Sequence, residues 1–375
     1  MIPFNKPFIA RKQIEYLTDV TNSLKWSGDG KYTNMSQEFL EKKYNFSKVL
    51  LTTSCTDALE MAAILIDIHE GDEVIVPSYT FVSSANPFLL RGAKIIFADS
   101  EENNPNIDVS SLEALITEKT KALVVVHYGG VACDMKSIMN LSKEKGIYII
   151  EDAAQAIDSY YFDKPLGSIG HIGALSFHDT KNITSGEGGA IIINEPRLQS
   201  KAEIIREKGT NRSSFYRGEI DKYGWVSIGS SFLISEINAA MLLSQLESID
   251  EVSERRVQLW NRYYTELKNG QDNGLYSLPS LPAFAKHNGH IFYMICKDLN
   301  QRTCLINYLK EKNIFASFHY QSLSESEFSK NNDMYRELTN SKKFTERLVR
   351  LPLFFDMTFI DIDVVTSAIS NFFKG

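Results

Sequence analysis

Residues 147–156, IYIIEDAAQA, read as a buried strand that turns into a helix and leaves an acid, Asp152, at the strand's carboxyl end. Six comparable apolar runs lie elsewhere: KVLLTT, EVIVPS, KIIFAD, ALVVVHY, ALSFH and GAIIIN. Amphipathic stretches, such as residues 56–67 and 134–145, separate several of them. Short β-rich runs alternating with helical patterns predict βα units, and hence an α/β fold with a mostly parallel seven-stranded sheet buried on both faces. In such sheets ligands gather at the carboxyl ends of the strands, where Asp152 is expected.

The run ALSFH leads into SFHDTKNITSGEGG, residues 176–189, which places Lys181 in a polar, glycine-rich turn 29 positions after Asp152. Alone, that lysine reads as a solvated surface amine, with a pKa of about 10.4. Paired with an acid at a neighbouring strand end it suits one chemistry: pyridoxal 5′-phosphate (PLP) needs a lysine to hold it as a Schiff base and a partner for its pyridine nitrogen. Other strand ends offer compatible groups. Ser54 and Thr56 open a helix whose free N–H groups form an anion site, or serve as an ordinary cap. Phe81 either stacks on an aromatic ligand or fills core, and Ser176 either donates to a phosphate or caps its own turn.

Composition narrows the class. The 375 residues are 43% apolar and 11% aromatic, ample for a core, and exceed what one hydrophobic centre usually serves. A large domain with an N-terminal arm (residues 1–245) and a smaller α+β domain (246–375) are expected, joined by one long helix over residues 236–267. The small domain should contain HIFYMIC, a helix near 302–312, FASFHY and a final helix near 362–373, with residues 322–340 as a polar loop holding a short helix. Net charge is −7, with a pI near 5.6 and no basic block, which disfavours nucleic acid as a partner. Cys55, Cys133, Cys296 and Cys304 form no C-x-x-C pair, and His287 and His290 lack further ligands at metal spacing. No apolar run reaches the length of a signal core or a membrane span, so a soluble, cytoplasmic protein without membrane contact is expected.

Taken in order, MIPFNKP, PSYTF, EDAAQA, SFHDTKNITSGEGG, REKGTNR and RLPLF make the chain resemble the DegT/DnrJ/EryC1/StrS sugar-nucleotide aminotransferases, fold-type I PLP enzymes. The resemblance implies that Lys181 carries the cofactor, Asp152 meets the pyridine nitrogen, Gln155 lies near the ring hydroxyl and Phe81 stacks on the ring. Thr56, Asp57 and Ser176 match phosphate-side positions, the first two through backbone N–H groups. Many members have an asparagine that crosses to the partner subunit's phosphate; here GSSFLIS puts Ser231 at that place. Lys208, Arg212, Tyr216, Arg217 and His319 are expected on the substrate side. The implied reaction is ping-pong within a homodimer with shared active sites. L-Glutamate leaves pyridoxamine phosphate (PMP) and 2-oxoglutarate, and the amine then passes to C4 of dTDP-4-keto-6-deoxy-D-glucose, giving the galacto amine for cell-surface polysaccharide. The gluco epimer, a C3 ketone, another nucleoside, or a non-catalytic protein on this scaffold are the alternatives.

Overall fold

The computed structural model describes residues 1–374. Seven strands make the main sheet: β1 (Val49–Thr52), β2 (Glu73–Pro77), β3 (Lys94–Ala98), β4 (Thr120–Val126), β5 (Tyr148–Asp152), then, after the two-residue strands β6 (Tyr160–Tyr161) and β7 (Lys164–Pro165), β8 (Ile172–Ser176) and β9 (Gly189–Ile193). Their order is β1-β9-β8-β5-β4-β2-β3, and β9 alone runs against its neighbours. Successive side chains point to opposite faces. Leu51, Ile75, Leu123, Ile149, Leu175 and Ile192 pack beneath the helices Lys31–Tyr44, Met135–Lys145 and Glu236–Leu246. Leu50, Val74, Val124, Ile150, Ala174 and Ile191 pack beneath the helices Cys55–Leu65 and Pro196–Arg206. Both faces are therefore dry, which is why these strands read as continuous apolar runs.

Beyond the sheet, β10 (Ala285–Lys286) pairs with β6, and β11 (Phe292–Ile295) pairs antiparallel with β12 (Leu348–Leu351). Around β11 and β12, Leu259, Tyr263, Met294, Leu305, Leu351 and Ile369 form a separate apolar cluster. A seam of Tyr79 and Tyr128 from the sheet side against Ile291, Tyr293 and Phe344 joins the two bodies. The N-terminal arm belongs to this second cluster as well: Ile2 bridges to Ile314, and the Leu353 N–H donates to the Phe4 carbonyl at 3.4 Å.

Three expectations are corrected. No helix follows Asp152; residues 153–159 are turns, because Asn288 Nδ2 takes the carbonyls of Gln155 (3.0 Å) and Ile157 (2.7 Å) that a helix would use. The long helix is two helices, Glu236–Leu246 and Ile249–Asp272, broken at Ser248, whose φ of −105° and ψ of 7° are not helical. Leu243, Leu246, Ile249 and Val252 all face the same core, so the apolar repeat crosses the break unchanged. Finally, FASFHY forms no strand and makes a single bridge, Ser317 to Arg350.

Candidate active site

The carboxyl ends of β1, β2, β4, β5 and β8 open onto one cavity of about 480 Å³, closed from the other side by residues of the small lobe and the N-terminal arm. Thr56, Phe81, Asp152, Gln155, Ser176, Lys181 and His319 all line it.

At its floor, Asp152 Oδ2 accepts the Ser84 hydroxyl at 2.6 Å, and Oδ1 accepts the Ala154 N–H at 3.2 Å. Ser84 is in turn hydrogen-bonded to Thr80 at 2.8 Å, so the carboxylate is fixed before any ligand arrives. The adjacent Glu151 points the other way, as strand alternation requires. Fully buried, it accepts N–H groups from Gly167 (2.8 Å), Ile169 (2.7 Å) and Gly170 (2.6 Å), and lies 2.9 Å from His127 Nε2. His127 Nδ1 accepts the Cys133 N–H at 3.2 Å, which assigns the ring proton to Nε2. Glu151 thereby clamps the turn leading into β8 to the strand that carries Asp152.

Lys181 sits in the loop between β8 and β9, its N–H donating to the His178 carbonyl at 2.9 Å. Burial lowers its pKa, partly opposed by the nearby Cys55 and Asp152 and reinforced by Arg350. Gln155 Oε1 accepts the Gly129 N–H at 2.6 Å while its Nε2 donates to the Tyr320 hydroxyl at 2.9 Å. Phe81 is 57% exposed, which leaves its ring free to cover a ligand. His319 Nδ1 lies 3.0 Å from the Tyr128 hydroxyl; burial, Arg350 and Lys181 hold its pKa well below 6.5, so it is neutral at pH 7.

The donor set fits a phosphorylated aromatic cofactor. At the start of the helix Cys55–Leu65, Ser54 caps the Asp57 N–H at 3.0 Å, which leaves the Cys55 and Thr56 N–H groups without a protein partner among the described residues. The Thr56 hydroxyl meets Ser83 at 2.8 Å, and Ser176 lies across the cavity wall. Asp57 is thus spent on the cap rather than offered to a ligand, and its carboxylate takes the Thr53 hydroxyl. The Gly189 backbone runs directly behind this helix start: a Cβ there would come within 2.3 Å of Ser54 C.

Ser231 and the stretch 208–217 do not reach this cavity. Ser231 is exposed and bridges to Glu207. Arg212 pairs with Glu207 (3.7 Å) and with the Tyr216 hydroxyl (2.7 Å), Arg217 pairs with Glu219 (2.7 Å) and Glu203 (2.9 Å), and Lys208 lies outside the lining. Conversely, sequence reasoning missed Phe4, Asn5, Ser84, Arg256, His290, Tyr320 and Arg350. Their signal was present, since Phe4 lies in MIPFNKP, Ser84 follows PSYTF and Arg350 opens RLPLF, but a motif does not say which way a side chain points.

The profile of the DegT/DnrJ/EryC1/StrS aminotransferase family matches residues 7–370. The chain belongs to that family. It is 31% identical over 383 residues to the spore coat polysaccharide biosynthesis protein SpsC of Bacillus subtilis, covering 100% of this chain and 97% of that one. It is also 31% identical over 385 residues to the UDP-4-amino-4-deoxy-L-arabinose–oxoglutarate aminotransferase of Shewanella sediminis, covering 99% and 97%. Among solved structures, the aminotransferase from Psychrobacter cryohalolentis superposes with a TM-score of 0.93 at 26% identity over 99% of both chains. Spr1654 from Streptococcus pneumoniae, solved in a PLP form, shares the fold at 24% identity, with a TM-score of 0.91 over 100% of this chain and 98% of that one. The chain is a PLP-dependent sugar aminotransferase on the fold-type I scaffold. No helix among the described residues is long and apolar enough to cross a membrane.

Proposed function

We propose that this enzyme moves the amino group of L-glutamate to C4 of dTDP-4-keto-6-deoxy-D-glucose, giving dTDP-4-amino-4,6-dideoxy-D-galactose and 2-oxoglutarate, for a cell-surface polysaccharide. The observation that carries the reading is the convergence of a partly buried lysine, a hydrogen-bonded aspartate and a helix start on one cavity. PLP, when bound, supplies an electron-accepting ring that carries the amino group from donor to acceptor. In this reading Lys181 holds the cofactor and, once released, moves a proton at the reacting carbon, a task suited to an amine whose pKa burial has lowered. Asp152 meets the ring nitrogen, Gln155 the ring hydroxyl and Phe81 the ring face; Thr56 and Ser176 hold the phosphate.

The partner subunit completes the site. Ser231, Lys208, Arg212, Tyr216 and Arg217 are assigned to the second copy's cavity, across a homodimer interface. Trp225 (84% exposed) and Ile228 (54%), close to them in sequence, supply the kind of apolar surface that a stable contact covers. His319 is assigned to the sugar. Residues 246–375 form the smaller domain, a division supported by the separate cluster around Leu259 and Met294.

The 4-amino sugar and oxoglutarate in the name of the Shewanella sediminis relative support both C4 amination and glutamate as donor. Product NMR tests the assignment. Ring-proton couplings around C4 should report an axial amine. An equatorial amine, or one at C3, would transfer the reading to another sugar.

A further inference from the structure

We propose that His290 is a positioning residue for Lys181: its bare Nε2 is the acceptor that receives the lysine ammonium whenever that side chain is not holding the cofactor. The inference rests on Lys181 being the cofactor lysine, as above. His290 is buried in the protein yet lines the cavity, and its two ring nitrogens have unequal surroundings. Nδ1 lies 2.9 Å from Asn182 Oδ1, whereas Nε2 has no protein partner among the described residues.

The bonds around the ring place its proton. Asn182 Nδ2 donates to the Asn288 carbonyl at 3.1 Å; a carbonyl can only accept, so the amide nitrogen of Asn182 lies on that side and its oxygen on the other. Oδ1 has no hydrogen to give, so His290 Nδ1 is the donor. The ring is neutral, because burial and the charges of Lys181, Arg256 and Arg350, with His319 beside them, keep its pKa well below 6.5. In a neutral ring with its proton on Nδ1, Nε2 carries a lone pair. The residue is also anchored at both backbone ends: its N–H donates to Asn288 Oδ1 at 3.0 Å, and its carbonyl accepts from Arg256 at 2.7 Å.

Lys181 needs such a partner. Its Nζ makes no hydrogen bond or ion pair among the described residues, and an ammonium drawn out of water without an acceptor is costly. The other acceptors lining the cavity are committed elsewhere. Asp152 is engaged by Ser84 and Ala154. His178 Nδ1 lies 2.9 Å from the Thr180 hydroxyl and 3.0 Å from Asp179, and the largely exposed Glu187 stands 3.7 Å from His178 Nε2. His319 meets the Tyr128 hydroxyl, which can donate or accept and so fixes no proton. His290 has its lone pair fixed in advance, by the residue next to Lys181 in the chain. A neutral acceptor also suits a lysine that must return to work: it orients the amine, whereas a carboxylate would hold the ammonium more tightly and keep its proton on.

The experiment uses the full chain freed of cofactor. With histidine labelled with nitrogen-15, two-bond proton–nitrogen NMR spectra read the tautomer of His290; a proton on Nδ1 is expected, and a proton on Nε2 would overturn the inference before any activity is measured. Competitive acetylation across pH, followed by peptide mass mapping, reads the pKa of Lys181 in the wild type, His290→Asn and His290→Gln, with Cys55, Asp152 and Arg350, the other groups that act on that amine, unchanged. Asparagine puts its amide nitrogen near the Nδ1 position, so it keeps the bond to Asn182 but offers the cavity no acceptor; the Lys181 pKa should fall by about one to two units. Glutamine reaches the Nε2 position with its oxygen and should keep Lys181 within about half a unit of wild type, even where loss of the Asn182 bond lowers the melting temperature. A histidine that only braces the loop predicts the reverse order, with asparagine harmless and glutamine damaging. Equal Lys181 titration in the wild type and His290→Asn would overturn the contact. Borohydride reduction of the PLP-loaded wild type judges the other reading separately, since an adduct on a different residue would refute the cofactor role of Lys181 and leave the contact with His290 standing.

Discussion

Replacing Glu151 by glutamine tests whether the site's framework depends on a buried carboxylate that takes no part in the chemistry. One oxygen accepts from Ile169 and Gly170, the other from Gly167 and His127, and the side chain is fully buried. Glutamine has one acceptor atom, so in either orientation its NH2 group faces two of these donors. If it faces Gly167 and His127, the imidazole can shift its proton to Nδ1, but that ends the bond from the Cys133 N–H. At about 1–3 kcal/mol for each buried donor left unpaired, two conflicts cost about 2–6 kcal/mol. That is a large part of the roughly 5–15 kcal/mol that keeps a typical protein folded. Urea unfolding of the apoprotein, followed by tryptophan fluorescence and circular dichroism, should show a clearly lower midpoint with an unchanged slope. A midpoint shift worth less than about 1 kcal/mol would mean that the Glu151 contacts are not the clamp described here.

Asp152→Asn should fold as the wild type and still take up cofactor, because Ser84 and Ala154 can orient an amide, but transamination should fall by about 100-fold or more; steady-state kinetics beside a cofactor titration would show it, and near-normal turnover would assign the ring nitrogen to another group. Burial depresses the pKa of His287 from 6.5 to about 4, and burial together with Lys181 holds His290 well below 6.5. Between about 4 and 6.5 the unfolded chain therefore binds more protons than the folded one, so stability should be full above pH 6.5 and fall as pH drops through that window. Melting temperatures from pH 7.5 to 5 check this, and His287→Gln should flatten the slope. For the shared site, mixed dimers of Lys181→Ala with a Ser231→Trp chain should recover part of the activity that each parent lacks, and proven heterodimers without activity would argue for sites built from one chain.

The seven-stranded sheet was legible because strands buried on both faces announce themselves as apolar runs, and because β-ends with Asp152 and Lys181 carry residues out of character with a core. What the sequence hid was of two kinds. Where apolar spacing continues across a turn, as from Leu246 to Ile249, periodicity cannot register the break. Where a distant residue decides local structure, as Asn288 does by taking the carbonyls after Asp152, no window around residues 147–156 contains the cause. Arg350 shows the second limit again: it matters because β12 and the arm residue Phe4 bring it to a cavity built mainly by chain far away in sequence.

The lone reversed strand has a mechanical consequence. Because β9 runs against β8, with Ser176 opposite Gly189, the loop carrying Lys181 leaves and re-enters the sheet at the same edge. Both of its anchors are neighbouring strands of one rigid plate, and the second lies against the start of the helix Cys55–Leu65. The amine thus swings on four side-chain torsions from a pivot that stays put, and its travel is limited to the few ångströms of its own stem. With Lys181 as the proposed cofactor lysine, an enzyme that must let go of its cofactor and take it back in every cycle would gain from so short a leash, since the released amine would stay within reach of the carbon it serves.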